Sequence, residues 1–215
     1  DDTNKLKSLE TNINLVSPVE EEYEADVREL EINLHSNEKD NKKVVLYGSS
    51  TFKDWANANK DLSINNLLNL GFGGSTLVSC RTYFNRIVLP YNPDTIVFYA
   101  GDNDIGSGTS ADELLNEFLL FSSEVAEKIP HTRCFFISIK PSVFRSEYLD
   151  IILDFNKKVK NSIDHLNQWK YIDLCTPMLE TGYEKFYGED PLHMNILGYS
   201  LLSKLIRDQL DVFIN

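Results

Sequence analysis

The sequence is short of three things that would place it in an easily read class. Among 215 residues there are three cysteines, Cys80, Cys134 and Cys175, an odd number without metal-ligand spacing. That speaks against a disulfide framework and against a zinc module. Their apolar or helical surroundings predict buried structural thiols instead. Positive charge is scarce as well. Against 33 Asp and Glu stand 21 Lys and Arg, for a net charge of −12. Nucleic acids and anionic membrane surfaces both demand clustered basic residues, so neither is expected as a partner. Finally, no apolar run approaches the roughly eighteen residues of a membrane-spanning helix. No signal peptide stands at Asp1, which leaves both a cytoplasmic and an exported location open, since a removed leader leaves no trace.

What is present is ordinary globular material, 42% hydrophobic and 25% charged, enough chain to bury a core without staples. Residues 1–18 are polar and aperiodic, and predict a tail or arm. From residue 19 to 215 a single domain is expected, with an extra N-terminal helix over 19–36. Val19, Tyr23, Val27, Leu30 and Leu34 recur there every three to four residues, and the glutamates make a solvated face. A polar linker, 36–43, leads into the first strand.

Strands and helices then alternate. Apolar runs at 43–47, 64–70, 95–100, 134–139 and 171–174 read as strands. Helical patterns fall at 51–57, 76–89, 110–129, 148–166 and 196–212. In the third of these Leu114, Leu115, Phe118, Leu119, Val125 and Ala126 are expected to face inward. This alternation implies an α/β fold, a three-layer α/β/α sandwich on a flavodoxin-like, five-stranded parallel sheet of order 2-1-3-4-5. Ligands of such sheets bind beyond the carboxyl ends of the strands.

Each chemistry-bearing segment falls at such an end. After strand one, VVLYGSSTFKDW carries two hydroxyls, Ser49 and Ser50, beside a helix start whose free N–H groups can stabilise negative charge. After strand two comes Asn69–Ser75, with its glycine-rich turn Gly71–Gly74, after strand three Gly101–Asp104, and before the last helix Asp190–His193. Singly these are weak signals. Ser50 could merely cap a helix, Ser49 could be the nucleophile, and Asn103 could be a turn residue like Asp102 and Asp104. His35, His131 and His165 read as surface residues, and Phe72 and Trp55 as packing residues. No third carboxylate or histidine accompanies Asp102 and Asp104, so no metal or other cofactor is expected.

Together, GFGGS, YAGDND, ISIKPS and DPLHMNILGY resemble the SGNH, or GDSL-type, hydrolases over residues 44–210. The first block resembles a branch with Gly-Ser-Ser in place of Gly-Asp-Ser. The fold is similar to that of platelet-activating factor acetylhydrolase catalytic subunits. The resemblance implies an esterase with Ser50 as nucleophile, His193 as general base and then acid, and Asp190 orienting the imidazole. It assigns the oxyanion hole to the backbone N–H groups of Ser50 and Gly74 and the carboxamide of Asn103. Ser49 replaces the usual Asp, which puts the support of the loop in question. Ser49, Phe72 and Arg145 are candidates for substrate contact.

The implied substrate is a small acyl ester, with acetyl groups on carbohydrates foremost. Two other readings stand beside it. One is a thioesterase or lysophospholipase with the same site, the other a non-catalytic carbohydrate-binding protein on a degenerate hydrolase fold. A homo-oligomer is compatible with the sequence.

Overall fold

The computed structural model describes residues 18–34 and 44–211. The expected tail at 1–18, all but its last residue, the linker at 36–43 and His35 lie outside the described residues.

Five parallel strands form one sheet: β1 (Val44–Gly48), β2 (Leu67–Gly71), β3 (Thr95–Tyr99), β4 (Arg133–Ile137) and β5 (Trp169–Ile172). Their order is β2-β1-β3-β4-β5, as the alternation of elements implied. Nine α-helices accompany them among the described residues: α1 (Pro18–Leu34), α2 (Ser50–Lys53), α3 (Ala58–Leu62), α4 (Leu77–Ile87), α5 (Asp102–Gly106), α6 (Ala111–Lys128), α7 (Leu149–Ile163), α8 (Cys175–Thr181) and α9 (Ile196–Asp211). Helix α4 packs between α1 and α6, and α6 packs on α7. On the other side, α3 packs on α9. None of these helices is long and apolar enough to cross a membrane.

The register aligns the strand ends. Gly48 stands opposite both Gly71 and Tyr99, and Ile137 opposite Ile172. All five strands therefore release their following loops at one edge, where the sequence motifs gather.

The core is aromatic. Tyr47, Phe72, Phe84, Phe98, Phe118, Phe121, Phe136 and Phe155 are all wholly enclosed. Trp169, at the start of β5, packs edge-on against Phe98, Phe118 and Phe121, with ring centroids 6.2, 5.0 and 6.1 Å away. Each such side chain contributes on the order of 2 kcal/mol by leaving water. On α1, Tyr23 and Val27 are buried and Leu30 half-buried, as the periodicity predicts. All three cysteines are free and buried.

Several boundaries differ from expectation for local reasons. The segment 51–57 is not one helix. Helix α2 stops at Lys53, the chain turns through Asp54–Asn57, and α3 follows, with the Trp55 indole N–H bonded to Asp61 at 2.8 Å. Strand β2 begins late because Ser63, in the left-handed region at φ 56°, ends α3 in a turn. β5 ends early because the backbone N–H groups of Leu174 and Cys175 both turn to the Ser138 hydroxyl, each at 2.9 Å, and open α8. The segment Gly101–Asp104 after strand three opens a short helix, α5. Ala126 is exposed rather than inward, and Phe121 and Ser122 take that face of α6.

Candidate active site

Gly48 sets the geometry of the first loop. Its φ is +142°, and a Cβ there would lie 1.8 Å from the Tyr99 carbonyl oxygen. Only glycine lets the end of β1 approach β3 this closely. The next residue, Ser49, donates its N–H to that same carbonyl at 3.0 Å. The carbonyl of Ser49 then accepts the N–H groups of Phe52 and Lys53, so its backbone opens α2. Its side chain does none of this. The Ser49 hydroxyl is enclosed and has no hydrogen-bond partner among the described residues. The loop that the missing Asp was expected to support is held by its main chain.

Ser50 follows as the first residue of α2. Its Oγ lies 3.1 Å from His193 Nε2, across 143 residues of sequence. The other ring nitrogen, Nδ1, lies 2.6 Å from Asp190 Oδ2. Asp190 also shapes the loop between them. Its Oδ1 accepts the backbone N–H of Leu192 at 2.8 Å and of His193 at 3.0 Å, the self-closing turn that aspartate favours. Those two N–H bonds, led by that of His193, and the ring beside them hold the Asp190 carboxyl down at about 2. It is an anion at neutral pH. A second carboxylate oxygen, Asp54 Oδ2, stands 3.8 Å from His193 Nε2.

Gly74 is held by helix α1, and Asn103 by Ser75 and Arg145. Gly74 has φ +69°, and its carbonyl accepts the Tyr23 hydroxyl from α1 at 3.0 Å. The neighbouring Gly73 N–H donates to Asp26, also on α1, at 3.3 Å. Asn103 stands in the first turn of α5. Its Nδ2 donates to the Ser75 carbonyl at 3.0 Å, and its Oδ1 accepts from Arg145 Nη2 at 3.3 Å. That pairing fixes the carboxamide with its oxygen toward Arg145 and leaves one N–H to spare. The backbone N–H groups of Ser50 and Gly74 have no hydrogen-bond partner among the described residues.

Of the three candidates for substrate contact, Arg145 alone is accessible. Ser49 is 1% exposed and Phe72 is 0% exposed, enclosed by Tyr23, Tyr47 and Tyr83. Both are withdrawn as substrate contacts: the sharp turn at Gly48 points Ser49 inward, and Phe72 fills the core beneath the glycine turn. Arg145 lies directly over Gly106, where a Cβ would meet its Nη1 at 1.9 Å. His131 and His165 are exposed.

Several supports of the site escape a reading of the sequence. Asp102 and Asp104 are not solvated turn residues but buried carboxylates. Tyr23 and Asp26 lie in a helix whose pattern shows an apolar face and a solvated glutamate face but no contact with the glycine turn. Lys140 lies in a segment that reads as loop. Its one visible signal is a lysine directly after the largely apolar run Cys134–Ile139, at the carboxyl end of a strand.

Asp104 carries a pH prediction. Both its oxygens accept the Leu77 N–H that opens α4, at 3.1 and 3.0 Å. Burial, the dominant influence, lifts its carboxyl from 3.8 to about 6. A carboxyl raised by folding contributes stability while protonated, and that contribution is lost as pH rises through about 6. A rise of that size corresponds to about 3 kcal/mol. Urea unfolding is therefore expected to show the wild type losing stability between pH 4 and 7 relative to Asp104→Asn, by up to that amount.

These features match known proteins. A family model, the GDSL-like Lipase/Acylhydrolase family, matches residues 45–201. Solved structures share the fold. A Streptococcus pneumonia protein named for platelet activating factor is 22% identical, with a TM-score of 0.77, covering 88% of this chain and 93% of its own. A GDSL-like lipase from Bacteroides thetaiotaomicron is 18% identical, TM-score 0.74, covering 87% and 98%. An acetyl xylan esterase is 20% identical, TM-score 0.66, covering 78% and 99%. At these identities the likeness is one of fold. None of the curated proteins matches the sequence. The family match spans most of the chain and contains all four strand-end motifs, so the protein belongs to the GDSL-like lipase/acylhydrolase family and is a carboxylic ester hydrolase.

Proposed function

We propose that the protein is a serine esterase of small acyl esters, working through an acyl-Ser50 intermediate. The observation that carries this reading is the continuous chain Ser50 Oγ, His193, Asp190, at 3.1 and 2.6 Å. A serine hydroxyl needs a base within hydrogen-bond reach, and a base needs a partner to fix its tautomer. Asp190 holds the proton on Nδ1, so that Nε2 accepts the Ser50 proton as Oγ attacks the ester carbonyl. The oxygen of the tetrahedral intermediate is received by the N–H groups of Ser50 and Gly74 and the free N–H of Asn103. His193 then protonates the leaving alcohol. Water attacks the acyl-enzyme by the same steps, with His193 again as base.

Acetyl esters, including those of carbohydrates, are the favoured substrates. A family of acylhydrolases and a fold shared with an acetyl xylan esterase support that choice. A second reading, a longer-chain thioesterase or lysophospholipase, has one observation in its favour. Val143 and Phe144 are exposed on the loop whose Phe144 N–H donates to Pro191 at 3.1 Å, beside the Asp190–His193 turn. Against it, Asp54 and Asp190 place negative charge at His193, which disfavours anionic acyl-CoA and phospholipid head groups.

Two measurements test this. A fluorophosphonate is expected to label the wild type and Ser49→Ala but not Ser50→Ala. Across p-nitrophenyl acetate, butyrate and octanoate, acetylated xylo-oligosaccharides, acyl-CoA and lysophospholipid, kcat/KM is expected to be highest for acetyl esters. Highest efficiency on the long-chain substrates would replace the small-ester reading by the second. Absence of labelling at Ser50 would favour a non-catalytic role.

A further inference from the structure

Ser50 and Asn103 each stand just beyond the end of a sheet strand, but His193 and Asp190 do not. They sit on a turn at the surface, with side chains 36% and 54% exposed. Something must hold that turn against the sheet, since a misplacement of about 1 Å can cost about a hundredfold in rate.

Lys140 is placed to do so. It is 2% exposed, in a position where an unpaired charge would be costly. Its Nζ donates to the Leu192 carbonyl at 2.9 Å, between Asp190 and His193 in the chain. It also stands 3.5 Å from Asp102 Oδ2 and 5.8 Å from the centre of the Tyr187 ring. Asp102, 5% exposed, faces the other way as well. Its Oδ1 accepts the backbone N–H of Asn103 at 3.0 Å, and its Oδ2 accepts the Tyr99 hydroxyl at 3.2 Å. One buried ion pair thus joins the residue that carries the Asn103 carboxamide to the turn that carries His193.

The anchor is itself fixed. Asn156, on α7, clamps Ile139 from both sides, accepting its N–H at 2.8 Å and donating to its carbonyl at 2.9 Å. Two further bonds run parallel to that of Lys140. The Tyr187 hydroxyl donates to Pro141 at 2.6 Å, and Phe144 N–H donates to Pro191. Bulk alone does not require a lysine here. An apolar side chain of similar volume fills such a space at least as stably as an ion pair. What it lacks is the directed bond to Leu192.

We propose that Lys140, paired with Asp102, is a positioning residue that sets His193 against Ser50 and Asn103. The proposal rests on the reading of Ser50, His193 and Asp190 as the reacting set.

The test uses the whole chain and p-nitrophenyl acetate. Lys140→Met alone would strand a buried carboxylate, so the informative variant is Lys140→Met/Asp102→Asn, which removes both charges and leaves no uncompensated one. It is expected to melt near the wild type yet to lose about a hundredfold in kcat, with KM within about threefold. Fluorophosphonate labelling of Ser50 should slow in parallel. The low-field proton resonance of the His193 Nδ1–Asp190 bond should shift or broaden, which a change confined to packing would not cause. Lys140→Gln/Asp102→Asn, which keeps a neutral donor toward Leu192, should recover part of the rate.

A folded Lys140→Met/Asp102→Asn with wild-type kcat and an unchanged resonance would overturn the proposal. Should that variant not fold, Lys140→Gln/Asp102→Asn decides, because it too removes both charges and leaves none uncompensated. A fall in kcat of about tenfold or more with a shifted resonance supports the proposal, and a smaller change in kcat or an unchanged resonance overturns it. Wild-type protein that hydrolyses esters without labelling at Ser50 would instead overturn the underlying assignment.

Discussion

Ser50→Ala is expected to lower the hydrolysis of p-nitrophenyl acetate by about 10⁴-fold or more while leaving the melting temperature within a few degrees. The rate effect follows from position. The Ser50 hydroxyl is the nucleophile candidate that reaches His193, at 3.1 Å, and its removal leaves the imidazole with water in its place. The small stability effect follows from surroundings. Ser50 is half-buried, and the backbone that opens α2 is bonded through the carbonyl of Ser49, not through either hydroxyl. Ser49→Ala is the matched control. It deletes an enclosed hydroxyl that has no partner among the described residues, so activity should persist and stability should hold or rise slightly. Steady-state kinetics of both variants, with circular dichroism to confirm folding, makes the comparison. Activity lost in Ser49→Ala and kept in Ser50→Ala would move the nucleophile by one residue.

Asp190→Asn is expected to lower kcat by about 10³-fold with the loop intact. Asparagine retains the Oδ1 acceptor for the Leu192 and His193 N–H groups, so the turn still closes. The change falls on the 2.6 Å bond to Nδ1. An amide N–H in place of Oδ2 forces Nδ1 to accept, and the ring proton moves to Nε2. There it points at Ser50 and is further favoured by the Asp54 carboxylate at 3.8 Å. A base that already carries its proton on the working nitrogen cannot take one from serine. Asp190 is more than half exposed, which allows water to supply part of the lost orientation and keeps the expected fall below that of Ser50→Ala. Its carboxyl, held down at about 2, gives no protonation step in a kcat profile above pH 4. A decrease of less than tenfold would show that water orients the imidazole unaided.

The two predictions differ in what each owes to sequence. The grouping of Ser50, Asp190 and His193, which the structure brings within 3.1 and 2.6 Å of one another, was legible through the resemblance of the strand-end blocks to the SGNH hydrolases. Strand order was legible too, since alternating strands and helices with right-handed crossovers allow few sheets. The failures share a cause. Ser49 and Phe72 were plausible substrate contacts by proximity in sequence, but a φ of +142° at Gly48 turns the first inward and the core claims the second. Asp102 and Asp104 read as turn residues, and nothing local marked Lys140 as buried. Burial became tolerable only through partners distant in the chain, Leu77 for Asp104 and Leu192 for Lys140. Periodicity showed that Tyr23 faces inward, but not that its hydroxyl and the Asp26 carboxylate meet the glycine turn at Gly74 and Gly73.

The sequence by itself thus determined the sheet, the edge at which its motifs gather, and the residue types assembled there. Periodicity and turn residues act locally, and a parallel sheet gathers all its strand ends on one side. The tertiary structure alone decided that the Ser49 hydroxyl turns into an enclosed space, which way the Asn103 carboxamide points, and what fixes the Asp190–His193 turn. Those depend on one backbone reversal at Gly48, on Arg145 beside Asn103, and on a buried lysine 52 residues from the carbonyl it holds. Distances of this kind are set by packing among elements remote in the chain, which no local pattern encodes.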